Sequence, residues 1–310
     1  SYRQACRRQI ARIDSIRSQT IHSFCQSLLR GFPIEAGLDP QFKIIEGFER
    51  SLLYGQLYDA WFDRETRVDP TPQALEEWEF LLEHVGYLFQ IRDLVFSLLA
   101  RRDLLMEEHY DFGSLEEIEP DLIGALTAIR RSDLSAVTDA HALTAFRYIQ
   151  EIEPPRGGSI DRWIEYFAPV AVPMRKANLP KDAVLKQALI VLRTENTKGS
   201  SVYERLLRHR STVAIHALTR RFIDFLDAEK RKLGVVDFDD LLLRTLELLQ
   251  NDRVLERVRQ QFDHIFVDEF QDTDRTQARI IEKLGTDRNG VWIAGKVTVV
   301  GDPKQSIYGF

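Results

Sequence analysis

His264-Ile265-Phe266-Val267-Asp268-Glu269-Phe270-Gln271-Asp272 decides the fold class. Its apolar run reads as a short buried strand, and the strand stops at paired carboxylates. Val297-Thr298-Val299-Val300-Gly301-Asp302-Pro303-Lys304-Gln305 repeats the arrangement further along. Open α/β sheets bind ligands beyond the C-terminal ends of their strands. Two such strands therefore predict one edge of a nucleotide-hydrolysing site. Phosphoryl transfer needs an acidic group to hold Mg²⁺ and a polar group to orient the attacking water. Mg²⁺ is satisfied by few protein carboxylates and keeps several waters. Asp268 and Glu269 suffice for the two roles, although an Asp-Glu pair after a strand also caps helices.

Outward from this edge the pattern turns helical. The spacing predicts helices over Leu241–Leu249, Val254–Phe262 and Asp272–Leu284. Gly234 suits a helix C-cap, and Asp237 or Asp239 suits the N-cap that follows. Asp237, Asp239 and Asp240 are assigned to capping and solvating that helix rather than to chemistry. Upstream, apolar residues recur at three- and four-residue spacing through about residue 41 to 233. Leu75–Ala100 reads as one helix, with Leu81, Leu82, Val85, Leu88, Phe89 and Phe96 as a bundle-core stripe. Glu153-Pro154-Pro155-Arg156-Gly157-Gly158 interrupts the pattern and predicts an exposed loop. Near the start, Ile16 to Phe24 alternates and contains β-branched Thr20 and Ile21, which predicts a short strand ending near His22. Ser23 would then cap the helix that follows. The expected architecture is α/β: a parallel sheet whose strands lie at both ends of the chain, interrupted by a large all-α insertion.

The chain has 310 residues, room for about two domains. Its 44% apolar and 29% charged residues are those of a soluble globular protein, and no apolar stretch approaches a membrane span. A membrane partner is not expected. Two cysteines, Cys6 and Cys25, give no disulfide framework, so a reducing, cytoplasmic setting is expected. The net charge of −6 argues against indiscriminate nucleic-acid binding. Locally the first thirty residues are basic, and Glu107, Glu108, Asp111, Glu116, Glu117, Glu119 and Asp121 make the middle acidic. Such runs are as readily solvated surface as binding faces.

The extended stretch Asp268-Glu269-Phe270-Gln271-Asp272 and the later Gly301-Asp302-Pro303-Lys304-Gln305-Ser306-Ile307-Tyr308 carry a family resemblance. Together they resemble the D-E-x-Q-D Walker B element and the following G-D-x-x-Q-S-I-Y motif of superfamily 1 DNA helicases of the UvrD/Rep/RecB/AddA type. Thr20-Ile21-His22-Ser23-Phe24-Cys25 resembles the family's T-x-H-S-x-C element near the DNA track. Val236-Asp237-Phe238-Asp239-Asp240-Leu241 resembles its D-F-D-D-L segment, where the chain re-enters the motor after a helical insertion. The length of the insertion is more like that of the RecB and AddA proteins.

The resemblance implies a P-loop NTPase (RecA-like) motor domain in pieces: residues 1–30, a helical insertion at 31–234, and residues 235–310. It implies ATP and Mg²⁺, with Asp268 on the metal and Glu269 orienting or deprotonating the water. Gln305 would sense the γ-phosphate. Tyr308 and Phe310 would stack on bases of single-stranded DNA, and Thr20, His22 and Ser23 would touch the strand. It also implies 3′→5′ movement on single-stranded or duplex DNA in repair or recombination, and a second subunit of a helicase-nuclease complex as partner.

The sequence contains no G-x-x-x-x-G-K-[ST] phosphate loop. The expectation is therefore an internal piece of a helicase chain that is inactive by itself. Two alternatives stay open: a non-catalytic DNA- or protein-binding scaffold with an incomplete motor, and a partner-binding role for the helical insertion.

Overall fold

The computed structural model describes residues 16–105, 115–135, 137–138, 140–155, 159–170, 182–192, 202–302 and 304. Strands are few and helices many. β1 (Lys43–Ile44) pairs in parallel with β2 (Val235–Val236), Lys43 opposite Val235. β3 (Ile265–Val267) pairs in parallel with β4 (Val297–Val299), Ile265 opposite Val297 and Val267 opposite Val299. The coarse α/β reading holds, and β1 and β2 come from distant parts of the chain while β3 and β4 are close in sequence. Among the described residues no helix is long and apolar enough to cross a membrane.

The chain divides into two compact units, Ser1–Ala60 with Asp224–Phe310, and Trp61–Ile223. In the first unit, helix Ile21–Gly31 buries Cys25, Leu28 and Leu29 against Leu241, Leu242 and Leu246 of helix Phe238–Leu248. Val254 and Val258 of helix Asp252–Arg259 and Ile280 and Leu284 of helix Arg275–Gly285 complete this core.

Residues 21–24 form the first turn of a helix here, not the end of a strand. The reason is local. Thr20 stands in extended conformation, and its hydroxyl accepts the Ser23 N–H at 3.2 Å, which supplies a helix cap. Ile21, Cys25 and Leu28 then follow a 3.6-residue period, which outweighs the β preference of Thr20 and Ile21.

The second unit is a helical assembly. Leu122, Leu126 and Ile129 of helix Leu115–Arg131 pack with Phe146 and Ile149 of helix Ala140–Glu151 and with Trp163 and Phe167 of helix Ile160–Phe167. Trp61 lies between Trp78, at 5.8 Å, and Phe222, at 5.2 Å between ring centres. Arg221 gives Glu77 a partner at 2.8 Å and Glu65 one at 2.9 Å.

The expected single helix Leu75–Ala100 is two helices, Pro72–His84 and Leu88–Leu99. Gly86, at φ 126°, takes a conformation closed to other residues. The Gln90 side chain then accepts the Tyr87 N–H at 2.9 Å and starts the second helix. The break rotates the expected stripe. Leu81 stays buried, while Leu82, Leu88 and Phe89 are exposed and Ile91, Val95 and Leu99 take the core positions. In the expected loop at 153–158, residues 156–158 lie outside the described residues, as does the acidic stretch at 106–114.

Asp237 and Asp240 are buried, which corrects their assignment to a solvated cap, while Asp239 between them stays partly exposed. Asp237 does cap helix Phe238–Leu248: its Oδ1 accepts the Asp240 N–H at 2.8 Å, and Asp240 Oδ2 accepts the Asp237 N–H at 2.9 Å. Both carboxylates are nearly inaccessible, Asp237 1% and Asp240 3% exposed. Lys230, 2% exposed, donates to both Asp240 oxygens at 2.9 and 2.7 Å and to the Tyr54 hydroxyl at 3.2 Å. Tyr54 donates to Asp237 Oδ2, and Arg50 Nε reaches the same oxygen at 3.3 Å. Arg50 also reaches Asp239 at 2.9 Å.

Removing one partner of a buried pair leaves an uncompensated charge, which costs about 3–5 kcal/mol. Lys230→Ala is therefore expected to lower unfolding stability by about that amount in chemical denaturation. A loss under about 1 kcal/mol, the scale of an exposed pair, would contradict the burial described.

Candidate nucleotide-hydrolysis edge

β3 delivers Asp268 and Glu269 at its C-terminal end, as the sequence pattern predicts. Val267, the last strand residue, is buried, and the backbone turns outward immediately after it. Glu269 sits at φ 52°, ψ 41°, the left-handed region, and is the one non-glycine residue with positive φ among those described. Asp268 Oδ1 accepts the Glu269 N–H at 3.0 Å. Its other carboxylate oxygen makes no hydrogen bond among the described residues. Both carboxylates are exposed to solvent.

β4 ends beside them. The Val300 N–H donates to the Val267 carbonyl at 2.8 Å, and the Phe270 N–H donates to the Val300 carbonyl at 2.9 Å. These two bonds carry the parallel ladder past the strand ends and set the 268–271 turn against the 300–302 turn. Gln271 spans them. Its amide nitrogen donates to Glu269 Oε2 at 2.5 Å, and its amide oxygen accepts the Asp302 N–H at 3.0 Å. Asp302 Oδ1 in turn accepts the Lys304 N–H at 2.9 Å, so Asp302 orders the turn. Gln305, Tyr308 and Phe310 lie outside the described residues.

A phosphate-bound Mg²⁺ needs one or two carboxylates, with waters and phosphate oxygens filling its octahedron. Asp268, with a free oxygen at the mouth of the edge, fits that demand. Among the described residues no group of three or more His, Cys, Asp or Glu converges as a closed metal site would require.

The Thr20, His22 and Ser23 group takes another form. Thr20 Oγ1 and Ser23 Oγ lie 3.0 Å apart, so both hydroxyls contribute to the helix start. His22 sets its ring edge-on to Phe238, centres 5.2 Å apart, and is half-buried. Cys25, one turn on, is fully buried; burial pushes its thiol up to about 11. It stays protonated at neutral pH and packs as an apolar residue.

Sequence reasoning gives Gln271 a place in the motif and no task. A signal exists: a neutral amide two residues from the second acid of a Walker B-like strand. The Lys230 partner of Asp240 escapes sequence reasoning because a lysine in the last turn of a helix reads as solvated.

A family profile described as the UvrD/REP helicase N-terminal domain matches residues 3–310. Among curated proteins, the chain is 27% identical to an ATP-dependent helicase/nuclease subunit of Anoxybacillus flavithermus. That alignment covers 98% of this chain and 29% of the relative. Proteins of the same description from Listeria monocytogenes serovar 1/2a, 23% identical, and Geobacillus thermodenitrificans, 25% identical, align over 98% of the chain and 28% and 29% of their own length. The chain thus spans under a third of the length of these relatives.

The cap assigned to Thr20 is testable. Thr20→Ala is expected to cost about 1 kcal/mol of stability, and Thr20→Ser to cost much less because the accepting oxygen is kept. Equal losses for the two variants in urea melts would remove the cap from the description.

Proposed function

The chain belongs to the UvrD/REP helicase N-terminal domain family, and from that premise we propose that it forms the hydrolysing half of an ATP-driven DNA motor. The observation that carries the reading is the shared strand edge. Asp268 and Glu269 stand side by side after β3, and β4 ends in register beside them. In the proposed reaction a water oxygen attacks the γ-phosphorus of ATP as the bond to the bridging oxygen of the β-phosphate breaks. Glu269 accepts the proton of that water. ADP and inorganic phosphate leave. A Mg²⁺ ion, when bound, supplies charge stabilisation for the transferring phosphoryl group, and Asp268 is the side chain that would hold it.

The finer assignments rest on the resemblance of the motifs. β3–β4 belongs to a RecA-like parallel sheet, and the segment at 31–234 is a helical insertion that interrupts it. Gln305 senses the γ-phosphate, and Tyr308 and Phe310 stack on single-stranded DNA, a sequence-blind mode suited to a motor. Thr20, His22 and Ser23 present the start of their helix to the strand. Movement is 3′→5′, in DNA repair or recombination, in the cytoplasm, with a second subunit of a helicase-nuclease complex as partner. The relatives' description as subunits of an ATP-dependent helicase/nuclease supports the last point.

In the full-length protein, Glu269→Gln is expected to lower DNA-stimulated ATP hydrolysis at least about a hundredfold, within the usual range for loss of a general base, while nucleotide binding persists. Turnover unchanged by the substitution would refute the role. The 310 residues hold no G-x-x-x-x-G-K-[ST], so this stretch alone is expected to hydrolyse no ATP in a phosphate-release assay.

A further inference from the structure

We propose that Gln271 is a positioning residue that ties the general base Glu269 to the turn after β4, so that the conformation of Gly301 and Asp302 sets where the base stands. The inference rests on the motor reading above and deepens it. A neutral amide offers a donor and an acceptor from one planar group, and Gln271 uses both. The nitrogen holds Glu269 Oε2 at 2.5 Å, and the oxygen holds the Asp302 N–H at 3.0 Å. No other side chain of that length does both: Glu lacks the donor and Lys lacks the acceptor.

The neighbouring backbone is shaped around this bridge. A Cβ at Gly301 would stand 2.6 Å from the Gln271 amide oxygen and 3.1 Å from the Gln271 and Phe270 backbone nitrogens. The contact at 2.6 Å does not occur without displacement of the amide, and the two main-chain contacts at 3.1 Å are tight. Gly301 therefore leaves the space in which the amide lies. Asp302 fixes the turn onward by accepting the Lys304 N–H at 2.9 Å. Movement of the turn shifts the Asp302 N–H and with it the amide oxygen to which it is bonded, and the amide nitrogen carries that shift to Glu269 Oε2. Displacements of about 1 Å at a reacting group cost on the order of a hundredfold in rate, so a small shift of the turn suffices to switch the base.

The test uses the full-length protein with Gln271→Ala, Gly301→Ala and the double variant. Two readouts are taken: kcat and KM for ATP in the presence of single-stranded DNA, and amide hydrogen exchange of the segment containing Asp302 in nucleotide-free protein. Each single variant is expected to lower kcat by about tenfold or more while KM for ATP moves less than about twofold. The double variant is expected to be no slower than Gln271→Ala, because both changes break one bridge. Exchange of the Asp302 amide is expected to accelerate in all three. If Gln271→Ala does not fold, Gln271→Glu, which keeps the length and the acceptor for the Asp302 N–H but removes the donor to Glu269, carries the kcat comparison, and Gly301→Ala carries the exchange comparison. An unchanged kcat in a folded Gln271 variant, additive losses in the double variant, or unchanged exchange at Asp302 overturns the proposal. Absence of DNA-stimulated hydrolysis in the unsubstituted protein overturns the motor reading instead, and the exchange measurement still decides whether the bridge exists.

Discussion

The Lys230 ammonium between the carboxylates of Asp240 and Asp237 is the interaction on which the first unit depends. It lies where the chain returns after its long helical excursion, and the same few residues include β2, which pairs with β1 almost two hundred positions earlier in sequence. A parallel ladder of two residues a side has little stability by itself. Burial of a charge is affordable only with partners, so Lys230, Asp240, Asp237, Tyr54 and Arg50 hold one another to a single arrangement. That arrangement fixes the start of helix Phe238–Leu248, whose leucines build the core beneath helices Ile21–Gly31 and Arg275–Gly285. The candidate hydrolysis edge stands on that core through Ile265.

Charge at this position trades stability for definition. Hydrophobic residues of similar volume often hold a core as well or better, but they tolerate sliding. The reciprocal cap between Asp237 and Asp240 fixes where the helix begins, directly after β2, because each carboxylate accepts the backbone N–H of the other. For a chain that must close a loop of nearly two hundred residues onto a two-residue strand, register is the quantity at risk.

What could be read from the sequence follows the range of the forces involved. Asp268 and Glu269 were legible because a strand ending in acids is a local pattern, and the structure puts them at the strand end. The break at Gly86 was not, because the apolar period runs through it and only the positive φ and the Gln90 contact reveal the turn. Thr20 misled for a similar reason: its β-branched side chain argues for a strand, while its oxygen argues for a cap, and the core decides between them. Gln271 was legible as a letter of the motif and illegible as a bridge, since its second partner, Asp302, is set by the pairing of β3 with β4. The charge partners of Asp237 and Asp240 belong to the same class: Lys230 is near in sequence, but Tyr54 and Arg50 are brought to them only by the fold.

The left-handed backbone at Glu269 has a consequence for how this turn can evolve. An L-residue there costs roughly 1–2 kcal/mol that glycine would not incur. Selection for a sturdy fold alone would favour Gly or Asn at this position, and the carboxylate proposed to act there opposes that preference. If Glu269 has the role proposed for it, the needs of the chain and of its chemistry conflict at this position, and a thermally hardened variant would there be most at risk of being a silent one.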